Sequence, residues 1–263
     1  MNEHNILITG ASGGIGRAIV QQLAQPNHRL FLQANRHFEE LQRFSEKLRD
    51  QGTIIDPIAA NLESYADQDY LIRFVKEKLT TSHQLTGIVL AAGVDLMSQA
   101  IKPLSFESKL EKIWKTDVLA TVRLARELGF WIKESKSLFQ ERQTRPTFLF
   151  FGWDGVERGM EGETAQLYSL AKGAIVAFAK SFAQEMAQAA RVLTISPGWI
   201  QTTWGQKASP AANQRALSES LAKRWGSPEE IASIVRFLLS DDSSFLNSQN
   251  IIVNGGFNYR AEN

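Results

Sequence analysis

The sequence predicts an α/β fold: a single doubly wound parallel sheet of about seven strands with helices on both faces. Three observations predict it. Short apolar runs alternate with longer amphipathic stretches along all 263 residues. Runs such as Phe148-Leu149-Phe150-Phe151 are apolar throughout rather than alternating, as strands buried on both faces require. No repeat, low-complexity tract or linker divides the chain, and its length suits one domain with a sizeable core.

Taken in order, residues 5–9 read as a strand and 14–24 as a helix. Residues 29–34 form the next strand, and 39–50 a charged helix. A strand at 53–59 precedes a helix at 65–79 with apolar residues at helical spacing. Residues 86–91 are a strand, and 105–133 are long enough for one long helix or two. A strand at 147–151 leads to an alanine-rich helix at 165–188, then a strand at 192–196. Proline in the first turn marks the start of a helix at 228–239, and 249–253 is the last strand. Two irregular stretches, 152–164 and 202–226, follow strands, where open α/β sheets bind ligands.

Composition narrows the function classes. The formal net charge of +1 gives no sign of a nucleic-acid-binding surface. The absence of cysteine excludes disulfides, thiolate metal sites and cysteine nucleophiles, and fits a reducing, cytoplasmic setting. His4, His28, His37 and His83 lack metal-ligand spacing. Residues 1–9 are too short and polar for a signal peptide, and no apolar run is long enough for a membrane span.

The first strand ends in Thr9-Gly10-Ala11-Ser12-Gly13-Gly14-Ile15-Gly16, and a helix follows at once. Glycines there permit a tight turn and close backbone approach to a pyrophosphate, which the helix N-terminus then faces with free N–H groups. The expected contacts are Gly10, Ser12, Gly13, Gly14, Ile15 and Gly16, in a Rossmann-type arrangement. At the end of the second strand an NAD site usually carries a carboxylate for the ribose hydroxyls. Here the residues are Asn35-Arg36, with no acid before Glu39. Arg36 can pair bidentately with a 2′-phosphate, so NADP is favoured over NAD. Further along, Tyr168 and Lys172 stand at i and i+4 and share one helix face. A phenol beside an ammonium gives up its proton more easily, which suggests redox chemistry on a carbonyl or alcohol.

The glycine loop together with Tyr168-x-x-x-Lys172 resembles the short-chain dehydrogenase/reductase family. Pro197-Gly198 with Thr202, the run Arg224-Trp225-Gly226-Ser227-Pro228-Glu229-Glu230, and the ending Val253-Asn254-Gly255-Gly256 follow in the family's order. The C-terminal half looks most like the 3-oxoacyl-carrier-protein reductase branch. The resemblance implies that Tyr168 is the general acid and that Lys172 holds the nicotinamide ribose and lowers the tyrosine pKa. It also implies cofactor contacts from Asn61 and Leu62 after the third strand, Ala92-Gly93 after the fourth, and Pro197, Gly198, Ile200 and Thr202 after the sixth. Residues 203–226, with Trp199 and Trp204 and the polar run Gln206-Lys207, are the expected substrate-binding loop and helix. The helices at 105–133 and 165–188 supply the dimer and tetramer bundle in the family; here they carry Leu110, Ile113, Val122, Phe178 and Phe182, some of which must be core, so a homotetramer or dimer is what the resemblance implies.

Three departures from the family stand out. Asparagines before the alanine-glycine pair are replaced by Leu90-Ala91. The active-site asparagine aligns with Asp117, which is expected to hold a water linked to Lys172 and to oppose the lysine's effect on Tyr168. The catalytic serine is missing. Counting from the strand places Trp153 at its position, whereas counting back from Tyr168 places Gly155 there. Trp153 is the first choice to donate to the substrate oxygen through its indole N–H. Asp154, if protonated, and Thr164 are the other candidates.

The expected activity is therefore NADPH-dependent reduction of a small-molecule carbonyl, with 3-oxoacyl thioesters among the candidate substrates. The competing expectation, raised by the missing serine, is a catalytically weak NADP-binding sensor or scaffold on the same fold.

Overall fold

The computed structural model describes residues 4–79, 84–135, 145–202, 205 and 208–260. Seven strands form one parallel sheet: β1 Asn5–Thr9, β2 Arg29–Ala34, β3 Ile54–Ala59, β4 Gly87–Leu90, β5 Thr147–Phe151, β6 Arg191–Pro197 and β7 Asn250–Val253. Their order is β3-β2-β1-β4-β5-β6-β7. The chain winds outward one way from β1 and the other way from β4, as the sequence predicts. A topological switch therefore falls between β1 and β4, where a crevice opens at the strands' C-terminal ends.

Strand side chains alternate between two cores. Leu7, Phe31, Ile88, Phe148 and Phe150 face one way, onto α3 (Tyr65–Lys78), α5 (Ala120–Ser135) and α6 (Glu163–Met186). Ile6, Ile8, Leu30, Leu32, Val89 and Leu149 face the other, onto α1 (Gly14–Leu23), α2 (Phe38–Arg49) and α8 (Pro228–Leu239). Period-two alternation with both faces covered explains why these strands are apolar at every position. Of the helical residues expected at an interface, Ile113 and Phe182 are core, and Leu110, Val122 and Phe178 pack partly buried against it. No helix of the described residues is long and apolar enough to cross a membrane.

The stretch 105–133 resolves into two helices joined by a distortion. Helix α4 (Phe106–Ile113) opens with Ser105 capping the Ser108 N–H. A π-helical turn, Trp114–Leu119, then leads into α5, with the Ala120 N–H bonded to the Lys115 carbonyl. Such turns insert a residue into the helical register and recur at functional sites. This one carries Asp117. The segment expected to hold a loop and a helix, 203–226, carries helix α7 (Pro210–Glu219). Its cap, Ser209 with Pro210 in the first turn, is a readable signal.

Arg191 fastens the far end of the sheet. It is almost fully buried, with Nη2 2.8 Å from the Leu238 carbonyl and Nη1 2.8 Å from the Ser243 carbonyl. The guanidinium thus satisfies carbonyls at the C-terminal end of α8, which packs against the glycine-loop helix α1. Replacing Arg191 with Met strands these carbonyls and should lower the unfolding free energy by about 2–4 kcal/mol. Urea denaturation checks this, and an unchanged midpoint refutes it.

Candidate active site

The β1–α1 turn is shaped by contacts that exclude side chains. Gly10 has φ +68°, and a Cβ there would lie 2.8 Å from Ala92 Cα. A Cβ on Gly16 would lie 2.1 Å from the Gly10 carbonyl oxygen. On Gly14 it would meet the Thr202 side chain at 3.0 Å. Gly13 precedes α1 without any side-chain cap, and the first turn of α1 has no acid. Bare N–H groups and an unopposed positive helix end remain, a donor set suited to an anion. Ser12 and Ile15 sit in the same turn.

Gln33 holds this turn in place, a role the sequence pattern did not predict. Buried at the end of β2, its Oε1 accepts from the Gly10 N–H at 2.9 Å, and its Nε2 donates to the Ala60 carbonyl at 2.7 Å. The signal was a lone amide in an otherwise apolar strand.

At the ends of β2 and β3, Asn35 Nδ2 donates to Asn61 Oδ1 at 3.3 Å. The same oxygen accepts from the Glu63 N–H, and the Asn61 N–H donates to Asp67. This leaves the Asn61 amide N–H groups to face a ligand. Leu62 is buried in the core, so only its backbone is available. Arg36 is exposed, with no carboxylate partner among the described residues. Pro197 and Gly198 end β6, with the Gly198 N–H bonded to the Val253 carbonyl. Ile200 is buried and bridges in parallel to Gly226, while Thr202 rests on the glycine loop.

On the other side of the switch, Lys172 Nζ is 2.8 Å from Asp117 Oδ2. Asp117 is fully buried, and its Oδ1 accepts from the Val94 N–H at 2.8 Å. The Val94 carbonyl in turn accepts from the Tyr168 hydroxyl at 3.1 Å. A Cβ on Gly93 would lie 2.9 Å from Asp117 Oδ2 and 3.6 Å from Lys172 Nζ, so the bare backbone closes over the ion pair. Ala92 is tied to β1 through its N–H to Thr9 Oγ1.

Two expectations need correction here. Asp117 was expected to reach Lys172 through a water, but it pairs with the ammonium directly. Lys172 was expected to lower the Tyr168 pKa, yet the phenol is held well above its ordinary value. Burial is the largest cause, followed by the charges of Asp117 and Asp95. Neither the pairing across the π-turn nor the burial is readable from an i, i+4 spacing.

The two counts for the missing serine converge on one place. The Trp153 indole lies over Gly155, where a Cβ would come within 2.4 Å of the ring. The indole therefore fills the space a residue-155 side chain would take. The Trp153 and Tyr168 ring centroids are 6.2 Å apart, with an interplanar angle of 50°. Trp153 Nε1 has no hydrogen-bond partner among the described residues. Asp154 is otherwise engaged, accepting from Asn254 Nδ2 and Arg158 Nη2 at 3.0 Å each. Burial raises its pKa, while the Asn254 hydrogen bond and Arg158 oppose the rise. Its contacts tie the β5 loop to the end of β7. Thr164 lies one turn before Tyr168, with its hydroxyl 3.8 Å from Met97 Sδ.

Beyond these residues, Trp199 Nε1 donates to Glu219 at 2.9 Å, and the Trp199 and Trp225 rings meet edge to face. The Arg158 guanidinium stacks 3.4 Å from the Phe257 ring centroid, drawing the C-terminal segment to the β5 loop. Thr203, Trp204, Gln206 and Lys207 lie outside the described residues.

Gly155→Ser, which would restore a serine by one count, is instead expected to force the indole aside. A loss of about 1–3 kcal/mol in stability and an altered near-ultraviolet circular dichroism spectrum should follow. An unchanged spectrum with full stability would show that the ring does not depend on this glycine. Comparison with known proteins agrees with the geometry. A family profile described as Enoyl-(Acyl carrier protein) reductase matches residues 10–258. The chain is 29% identical over 258 residues to the uncharacterized oxidoreductase YmfI of Bacillus subtilis, covering 95% of this chain and 97% of that one. It is 28% identical over 254 residues to the 3-oxoacyl-[acyl-carrier-protein] reductase MabA of Mycobacterium tuberculosis, covering 96% and 92%. The fold is shared with L-sorbose reductase of Gluconobacter frateurii, solved with NADPH and L-sorbose, at a TM-score of 0.82, 23% identity and coverage of 98% and 97%. With a matching profile over almost its whole length and the glycine loop and tyrosine–lysine helix meeting at one sheet crevice, the chain belongs to the short-chain dehydrogenase/reductase family of oxidoreductases.

Proposed function

We propose that the protein is an NADPH-dependent carbonyl reductase whose general acid is Tyr168. The observation that carries this reading is the meeting of Tyr168, Lys172 and the bare Gly93 backbone at the β1/β4 switch point, beside the anion-ready turn. The residues fit a dinucleotide: the uncapped first turn of α1, Gly14 to Gly16, offers N–H groups to its pyrophosphate, Asn61 offers amide N–H groups to a base edge, and Thr202 stands over Gly14. Arg36, exposed and free of a carboxylate partner among the described residues, supports a 2′-phosphate and hence NADP. When bound, the cofactor supplies the hydride.

The chain's own residues then do the rest. Tyr168 Oη gives its proton to the carbonyl oxygen as charge develops there. Trp153 Nε1 donates a hydrogen bond to the same oxygen in place of the family's serine. Lys172, held by Asp117, stands one helical turn away on the same face. Residues 203–226 form the substrate segment, with α7 anchored through the contact of Glu219 with Trp199. The similarity to MabA supports acyl thioesters as one substrate class. Trp114 and Leu119 on the π-turn and Leu170 on α6, large apolar side chains left exposed, support a homo-oligomer.

A second reading, a catalytically weak NADP-binding sensor, is favoured by two observations. The Tyr168 hydroxyl is engaged with Val94, and the Lys172 ammonium is neutralised by Asp117. Turnover separates the readings. Tyr168→Phe should cut ketone reduction by about 10²–10⁴. Trp153→Phe, which keeps a ring and removes the donor, should cut kcat/KM by about 10²–10³. Equal rates for wild type and Tyr168→Phe over a carbonyl panel would dismiss the phenol as acid; full activity in Trp153→Phe would reduce Trp153 to packing. Arg36→Asp should weaken NADPH binding at least about tenfold, or 1.4 kcal/mol, while sparing NADH. An unchanged preference in titrations with both cofactors removes Arg36 from the site.

A further inference from the structure

The position where the family carries a neutral amide holds a carboxylate, and the π-turn aims it at the lysine. Charged groups stand around Tyr168 on three elements. Lys172 stands on its own helix, Asp117 on the π-turn packed against that helix, and Asp95 on the segment after β4. From the β5 loop the uncharged Trp153 ring stands beside Tyr168. One cation is thus answered at 2.8 Å by a buried anion, with a second anion nearby.

We propose that Asp117 is a positioning residue that cancels the Lys172 charge at Tyr168, so that the site keeps its tyrosine as the neutral phenol, the proton-donating form, through the neutral and mildly alkaline range. This rests on the reading of Tyr168 as the acid. The physical argument is one of paired charges. An unpaired ammonium one turn away stabilises the phenolate, but a carboxylate in contact with it adds a potential of opposite sign from nearly the same place. Burial of the phenol acts in the same direction as the carboxylate. An asparagine would leave the ammonium unanswered. In reduction, the carbonyl carbon gains a hydride from the bound dinucleotide, the oxygen gains the Tyr168 proton, and water reprotonates the phenolate. Oxidation requires the phenolate first, and here it is scarce.

The sign follows from the acid's pKa. Reduction holds steady as pH rises until the phenol ionises, and alcohol oxidation climbs through that same range. Two measurements on Asp117→Asn test the proposal. The first is the near-ultraviolet phenolate absorbance as a function of pH, taken as the difference between each protein and its Tyr168→Phe counterpart, which requires no turnover. Its midpoint should fall by about one unit or more relative to the protein with Asp117. The second is the pH profile of kcat/KM in both directions, whose alkaline fall in reduction and rise in oxidation should move down together. A midpoint that stays or rises overturns the proposal.

If Asp117→Asn does not fold, the double variant Asp117→Asn with Lys172→Met, which buries no unpaired charge, decides. Its phenol should ionise within about half a unit of wild type, and a shift of about one unit or more either way overturns the cancellation. Full turnover in Tyr168→Phe would instead defeat the acid assignment, while the optical titration tests the charges separately.

Discussion

Backbone crowding where β1 and β4 end side by side governs the architecture of the site. Gly10 approaches Ala92 so closely that no Cβ fits between them, and Gly16 closes onto the Gly10 carbonyl with still less room. The turn between β1 and α1 can form only with these residues bare, and Gln33 then locks it to β3. The two cores press helices onto both faces of the sheet, so its polar groups converge at the strand ends. Gly93 extends the same bare edge over the Asp117–Lys172 pair, joining the anion-ready turn to the helix that carries Tyr168.

Within that edge, the electrostatics depends on one buried carboxylate, Asp117. A buried ion pair gains little net stability because desolvation offsets much of the Coulomb attraction. Its consequence lies in what the pair does to its neighbours. Val94 carries the link, taking the Asp117 carboxylate on its N–H and the Tyr168 hydroxyl on its carbonyl. The phenol is therefore hydrogen-bonded through a backbone that is itself held by the lysine's partner.

Beside Tyr168, an indole takes the room that a residue-155 side chain would fill. The Trp153 ring occupies the room above Gly155, beside Tyr168. Its neighbour Asp154 is committed to Asn254 and Arg158, which brings the β7 end and the Arg158–Phe257 stack to the cleft wall. The loop is therefore braced from the C-terminal segment.

Much of this was legible in the chain. Apolar strands, amphipathic helices and the strand–glycine–helix order sufficed for the parallel sheet, because a sheet buried on both faces needs uninterrupted apolar runs. A helix within 203–226 was expected, and its bounds follow from the Ser209-Pro210 start of α7. Tyr168 and Lys172 were identified by local spacing, since an i, i+4 pair is set by helical geometry alone. The sign of the electrostatics at Tyr168 was not readable. It depends on Asp117, fifty-one positions earlier than Tyr168 in the chain, being turned inward by a π-helical turn, and on burial that exists only once α6 packs against that turn. By itself the sequence determined which residues stand at the strand ends and on one helix face, because periodicity is local. Only the tertiary structure decided which charges meet there, because Coulomb interactions and desolvation depend on distances across elements remote in sequence.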